Sequence, residues 1–153
     1  MNKITMGIRI SILFLALTMV NSAMADNTFF DLGNGTVIDL VSGLTWQQGL
    51  TSEMNWEAAI SYCENRSGLG GKSDWRLPNI KELQSLVDYS KISPTINLVY
   101  FPNTTNDIYW SSTSYPYPNA DQTVIVSFYD GHVSNLRKNA THGARVRCVR
   151  SRQ

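Results

Sequence analysis

Charge, cysteine and long apolar runs are all scarce in this 153-residue sequence. Charged residues make up 16 % of it, and 13 basic against 12 acidic side chains leave a net of +1. Without an excess of positive charge, a globally basic nucleic-acid binder is excluded. The leading apolar run, Ile10–Val20, spans 11 residues. A bilayer-spanning helix needs ~20, so this run is too short for a stable membrane anchor. With only two cysteines, and no closely spaced ligands beside them, no zinc site is expected. No Gly-x-Ser-x-Gly or Ser-x-x-Lys nucleophile motif occurs. Internal repeats and low-complexity tracts are absent too.

The short apolar run has a different meaning in its context. Lys3 and Arg9 precede or open it, and Ala23-Met24-Ala25 follows with the small-x-small pattern of a cleavage site. Residues 1–25 therefore read as a signal peptide. No cysteine lies near the cut, which argues against a lipoprotein. The expected localisation is exported, either periplasmic or secreted, with residues 26–153 as a single domain. Removing the leader takes two bases with it and leaves 11 basic and 12 acidic residues. The remainder holds four Trp and seven Tyr, a composition for a packed core and not for a disordered chain. A chain of this length supports one core and too little for two.

The charges are segregated. All the acids lie in 26–130, whereas 131–153 carries Arg137, Lys138, Arg145, Arg147, Arg150 and Arg152 without an acid. One reading is an interaction face for an anionic polymer, because guanidinium groups recognise planar oxyanions in pairs. The other is internal pairing with acids such as Asp121 or Asp130.

An exported chain enters an oxidising compartment, where Cys63 and Cys148 are expected to form a disulfide. Closing that loop would stabilise the fold by ~4–5 kcal/mol at most. The alternatives are two buried free thiols, or a catalytic cysteine with His132 or His142 as its base.

Hydrophobic patterning supplies the elements. Phe29–Leu40 is a hairpin around Gly33-Asn34-Gly35, and Thr45-Trp46-Gln47 is a further strand after a turn at Ser42-Gly43. Asp31, Asn34 and Asp39 fit a calcium loop poorly and read as turn residues. Residues 55–65 form a helix capped by Asn55, with Trp56, Ala59, Ile60 and Cys63 on one face. Asn79 and Glu82 form a capping box for a second helix that should end near Asp88. Strands follow at 109–113, 123–128 and 132–136, with a turn at Asp130-Gly131. In the last strand, 144–150, alternation would put Arg145 and Arg147 together on one face. Tyr115 and Tyr117 on a proline-rich loop are candidate ligand contacts, and loops on rigid scaffolds commonly carry such aromatics.

Several phrases occur in an order that resembles one family. They are Phe30-Asp31-Leu32-Gly33-Asn34-Gly35-Thr36-Val37-Ile38-Asp39, Ser42-Gly43-Leu44-Thr45-Trp46-Gln47, Asn55-Trp56-Glu57-Ala58-Ala59, Trp75-Arg76-Leu77-Pro78-Asn79-Ile80-Lys81-Glu82-Leu83, Tyr109-Trp110-Ser111-Ser112-Thr113 and Val146-Arg147-Cys148-Val149-Arg150. The chain resembles the Lcl C-terminal domain family of bacteria. That family is similar to the C-type-lectin-like fold, in the branch that includes formylglycine-generating enzymes. The resemblance implies an α+β fold with two helices packed on short twisted antiparallel sheets and with adjacent termini. The family takes its name from a bacterial collagen-like adhesin, and the role expected here is adhesin-like recognition of a glycan or a protein.

The carbohydrate loop of calcium-dependent lectins, Glu-Pro-Asn or Gln-Pro-Asp, does not occur. Both cysteines are assigned to the bridge, which leaves none for the copper site of the formylglycine-generating branch. The reading is therefore a non-catalytic binding module with no cofactor and no metal. Its expected partners are an anionic glycan or a cell-surface protein, with Arg137, Lys138, Arg145, Arg147, Tyr115 and Tyr117 as candidate contacts. Homo-oligomerisation is compatible with it. An enzyme or accessory protein of the formylglycine-generating branch and a structural envelope subunit are the alternatives.

Overall fold

Two carboxylates and two turns organise the start of the chain. Asp31 accepts the Gly33 N–H at 2.8 Å, and the loop closes a hairpin between β1 (Phe29–Asp31) and β2 (Thr36–Asp39). Asp39 accepts the Val41 N–H at 2.9 Å and the Ser42 hydroxyl at 2.5 Å. That second turn leads to β3 (Thr45–Gln47). Both carboxylates thus act as turn acceptors. The structure is a computed structural model that describes residues 28–116, 118 and 120–151. The expected signal peptide lies outside the described residues, and so do Tyr117 and Arg152.

Helix α1 (Trp56–Glu64) begins where Asn55 caps it, accepting from Ala58 N at 2.9 Å. Its inner face buries Ala59 and Cys63 completely, with Trp56 and Ile60 half-buried beside them. Helix α2 (Ile80–Gln84) has the capping box expected from Asn79 and Glu82. It is shorter than expected. From Ser85 to Val87 the chain continues in tight turns bonded three residues back. That spacing sets Leu86 above Leu83, and both are buried.

The remaining strands are β4 (Ile108–Ser114), β5 (Gln122–Ser127), β6 (Val133–Arg137) and β7 (Val149–Arg150). They complete two small antiparallel sheets, ordered β1-β2-β3-β7 and β4-β5-β6. The architecture is α+β with few helices. The first and last strands, β1 and β7, lie in one sheet at its opposite edges, with β2 and β3 between them.

Strand alternation makes the second sheet a partition. Tyr109 pairs with Val126 and contributes to a core with Trp46, Leu83, Phe101 and Phe128. The next pair, Trp110 with Ile125, faces a second core with Ala59, Trp75, Val146 and both cysteines. Three of the four tryptophans are buried, and Trp56 is half-buried. Indole N–H groups donate to backbone carbonyls: Trp56 to Ser111, Trp75 to Leu69 and Trp110 to Met54. They serve as packing elements with a polar anchor.

Cys63 and Cys148 are bonded, with Cα atoms 5.5 Å apart, and both are fully buried. The bridge ties α1 to the final segment. The other tie is polar. Arg76 grips Glu82 through two bonds of 2.8 and 2.7 Å, and Glu82 also accepts the Asn79 N–H. Arg76 exchanges backbone bonds with Val149, and Asp74 pairs with Arg150 at 2.7 and 3.0 Å.

Candidate recognition face

The basic final segment does not form one surface. The expectation that Arg145 and Arg147 stand together on an exposed strand face is corrected. A ladder forms only at Val149–Arg150, while Ala144 and Arg145 make single bridges to Met54 and Tyr109. Residues 146–150 are buried without alternation, because the chain there is covered from both sides.

Arg147 is 1 % exposed. Its guanidinium donates to Gln47 O at 2.8 Å, Gln48 O at 2.9 Å and Thr104 Oγ1 at 2.8 Å, and it lies over the Phe101 ring at 4.7 Å. Burial lowers its pKa to about 10. Arg145 pairs with Asp107, whose carboxyl it holds below the usual range, and also donates to Thr51 O. Arg137 is exposed and stands 3.9 Å from Asp121. Lys138 is half-buried, with its ammonium 4.5 Å from the centre of the Trp56 ring and bonded to Ala120 O. Tyr115 is 37 % exposed, on the loop after β4. Arg137 and Lys138 therefore lie apart from the buried Arg147 and are engaged near β5 and β6.

A different face is built around Tyr89. The β5–β6 turn is closed by Ser127 N to His132 O and Gly131 N to Ser127 O, and His132 N donates to Asp130 Oδ1 at 3.0 Å. The loop after α2 docks on that turn: Thr95 N donates to Phe128 O at 2.7 Å, and Asp88 N to Thr95 O. Gly131 is the point of closest approach. A Cβ there would stand 2.7 Å from both Tyr89 Cε1 and Val87 Cγ1, and its φ of +78° also excludes most side chains. The Tyr89 hydroxyl donates to Gly131 O at 3.4 Å.

Tyr89 is thus seated on a glycine while remaining 69 % exposed, with Tyr129 nearby at 59 %. Three depressions adjoin it. One of about 450 Å³ is lined by Phe29, Asp39, Val41, Asp88 and Tyr89 among others. One of about 370 Å³ is lined by Gln84, Tyr89, Asp130, Gly131, His132 and Val133. One of about 260 Å³ holds Tyr89, Lys91, Ile92, Thr95, Tyr129 and Asp130. The carboxyls of Asp88 and Asp130 sit below the usual range, the first held by the Ser90 hydroxyl and N–H, the second by the His132 N–H. Among the described residues no three His, Cys, Asp or Glu side chains converge as a metal-binding group.

Sequence reasoning located the Asp130-Gly131 turn but not Tyr89 or Tyr129. Each is a single tyrosine beside a turn, outside any periodic pattern. The available signal was weak: Asp88-Tyr89-Ser90 and Tyr129-Asp130-Gly131 each set an aromatic next to a turn-forming Asp.

The family model described as Lcl C-terminal domain matches residues 35–150, and the chain belongs to that family. A search of curated proteins returns no match.

Proposed function

For this member of the Lcl C-terminal domain family, we propose an exported, non-catalytic binding module that recognises a glycan through the Tyr89 face. One observation carries the reading: an exposed tyrosine ring is held in place by a glycine contact and a hydroxyl bond, among shallow depressions. A flat aromatic face that is ordered before the ligand arrives loses little entropy on stacking. Hydroxyl and amide groups of Ser42, Ser85, Asn97 and Gln84 line the same depressions and can bond a polyol. The C-type-lectin-like fold belongs to this reading. It is supported by the two small antiparallel sheets and by the bridge between a helix and the final segment. Export is supported by the leader-like residues 1–25 and by the buried disulfide.

A glycan array probed with and without calcium tests this. Binding is expected with or without the ion. Tyr89→Ala should abolish it and Tyr129→Ala should weaken it, while Tyr115→Ala leaves it intact. Retention of full binding by Tyr89→Ala refutes the assignment.

Ile92 and Val99, 88 and 80 % exposed, favour a second reading, a protein partner. Loss of partner binding in Ile92→Asp with glycan binding unchanged would support it.

A further inference from the structure

The charge around Tyr89 says more about the ligand. Asp39, Asp88 and Asp130 line the three depressions, and Lys91 is the one lysine or arginine among their linings. Lys91 lines the 260 Å³ depression together with Asp130, while its N–H bonds Asp88 O and its charge helps hold the Asp88 carboxyl below the usual range. The 370 Å³ depression is different. Asp130 is the only carboxylate in its lining and no lysine or arginine accompanies it. Asp130 is exposed, so its negative charge is presented to whatever occupies the space between Tyr89 and His132. A sulfate or carboxylate there would meet a like charge, which disfavours an anionic polymer at this face.

Resting on the glycan reading above, we propose that the sugar seated beside Tyr89 carries a free amino group, so that the ligand is a glucosamine-type oligosaccharide. The sugar ring stacks on Tyr89, and its ammonium donates to Asp130. A charge-assisted bond of this kind is roughly twice as strong as a neutral one. An ammonium next to the face of a tyrosine gains a further attraction from the ring. Small polar linings and flat depressions suit an oligosaccharide better than a basic peptide, whose long side chains would call for deeper pockets.

The test is calorimetric titration of the purified chain at neutral pH with four tetramers: glucosamine, N-acetylglucosamine, a heparin-derived fragment and lysine. The glucosamine tetramer should bind about 10-fold tighter than the acetylated one, the effect of one charged contact. That advantage should shrink as salt is added. Asp130→Asn keeps an acceptor for the His132 N–H, so the turn persists, and it should erase the difference between the two sugars. Tyr89→Ala should remove both. Equal affinity for the free and acetylated tetramers overturns the amine assignment while leaving the glycan reading in place. So does tighter binding of the heparin fragment. Preference for the lysine tetramer overturns it in favour of a basic peptide. If none of the sugars binds, the glycan reading itself falls.

Discussion

Arg147 is a cation enclosed by carbonyls, and its removal should be costly in a way that no surface arginine can match. The three bonds it donates, at 2.8, 2.9 and 2.8 Å, reach Gln47 O, Gln48 O and Thr104 Oγ1. In Arg147→Ala those acceptors lose a partner inside the protein, at ~1–3 kcal/mol each. The stem and the stacking on Phe101 are lost as well. Relief of the desolvation that lowers its pKa to about 10 offsets part of this. The net cost is roughly 3–5 kcal/mol, from neutral acceptors left unsatisfied and packing lost, less the desolvation relieved. A domain of ordinary stability has only about 5–15 kcal/mol to lose.

Urea unfolding followed by tryptophan fluorescence reads this as a large drop in midpoint at unchanged slope. Arg147→Lys should recover little, because one ammonium cannot reproduce a planar fork that stacks and bonds at once. Arg137→Ala, at an exposed site, should stay within about 0.5 kcal/mol of the parent. If Arg147→Ala costs no more than Arg137→Ala, the burial argument is wrong. If it keeps full stability and instead loses retention on heparin, Arg147 belongs to a surface site after all.

Three further outcomes are expected. Gly143→Ala sets a Cβ 2.0 Å from Met54 O and should lower Tm by several degrees, whereas Gly49→Ala, with nothing within 4 Å, should not; equal effects would sink the close-approach argument. Cys63→Ser opens a bridge spanning 85 residues and should cost up to ~4–5 kcal/mol, read from the urea midpoint; an unchanged midpoint in oxidising buffer would contradict it. The carboxyls of Glu82 and Asp107 have folded pKa values below their ordinary 4.5 and 3.8, because Arg76 and Arg145 bond them. Their stabilising contribution is therefore complete above those ordinary values and is lost as pH falls from there through the lower folded values. Stability should be flat near neutrality and drop in acid, with a shallower drop in Glu82→Gln; an unaltered acid limb in that variant would refute the linkage.

Local chemistry was legible in the sequence where a residue's role depends on near neighbours. The Asn55 cap, the Asn79–Glu82 capping box, the Gly33–Gly35 hairpin and the Asp130-Gly131 turn all follow from short-range bonding rules. The cysteine pair was legible because two thiols allow a single intrachain bridge. The fate of 144–150 was not. Its alternating pattern fits a one-sided strand, and the decision was made by distant acceptors, Gln47 and Gln48, about a hundred positions away. Arginine spacing carries no sign of such partners. The exposed tyrosines were hidden for a related reason. Tyr89 becomes a platform only because Gly131, 42 positions later, leaves room for its ring.

These two outcomes are connected, and the connection supports the proposed placement of the binding face. The tryptophans and the arginines Arg76, Arg145, Arg147 and Arg150 are the residues that sequence inspection finds first, and the structure engages them in packing and pairing. Trp46, Trp75 and Trp110 fill the cores, and the four arginines hold Glu82, Asp107, the Gln47–Gln48 carbonyls and Asp74. Groups committed in this way cannot release their partners for a ligand without leaving buried polar atoms unsatisfied. A ligand must instead use side chains whose removal costs the fold little. The proposed face meets that condition, because it is made of exposed residues on the loops after α2 and β5, with Tyr89 braced from below and Asp130 beside it. The same reasoning explains why Tyr89→Ala should abolish binding while moving the urea midpoint little, and why Arg147→Ala should do the reverse. That opposition would separate a scaffold built from the family's phrases from the recognition face proposed beside it.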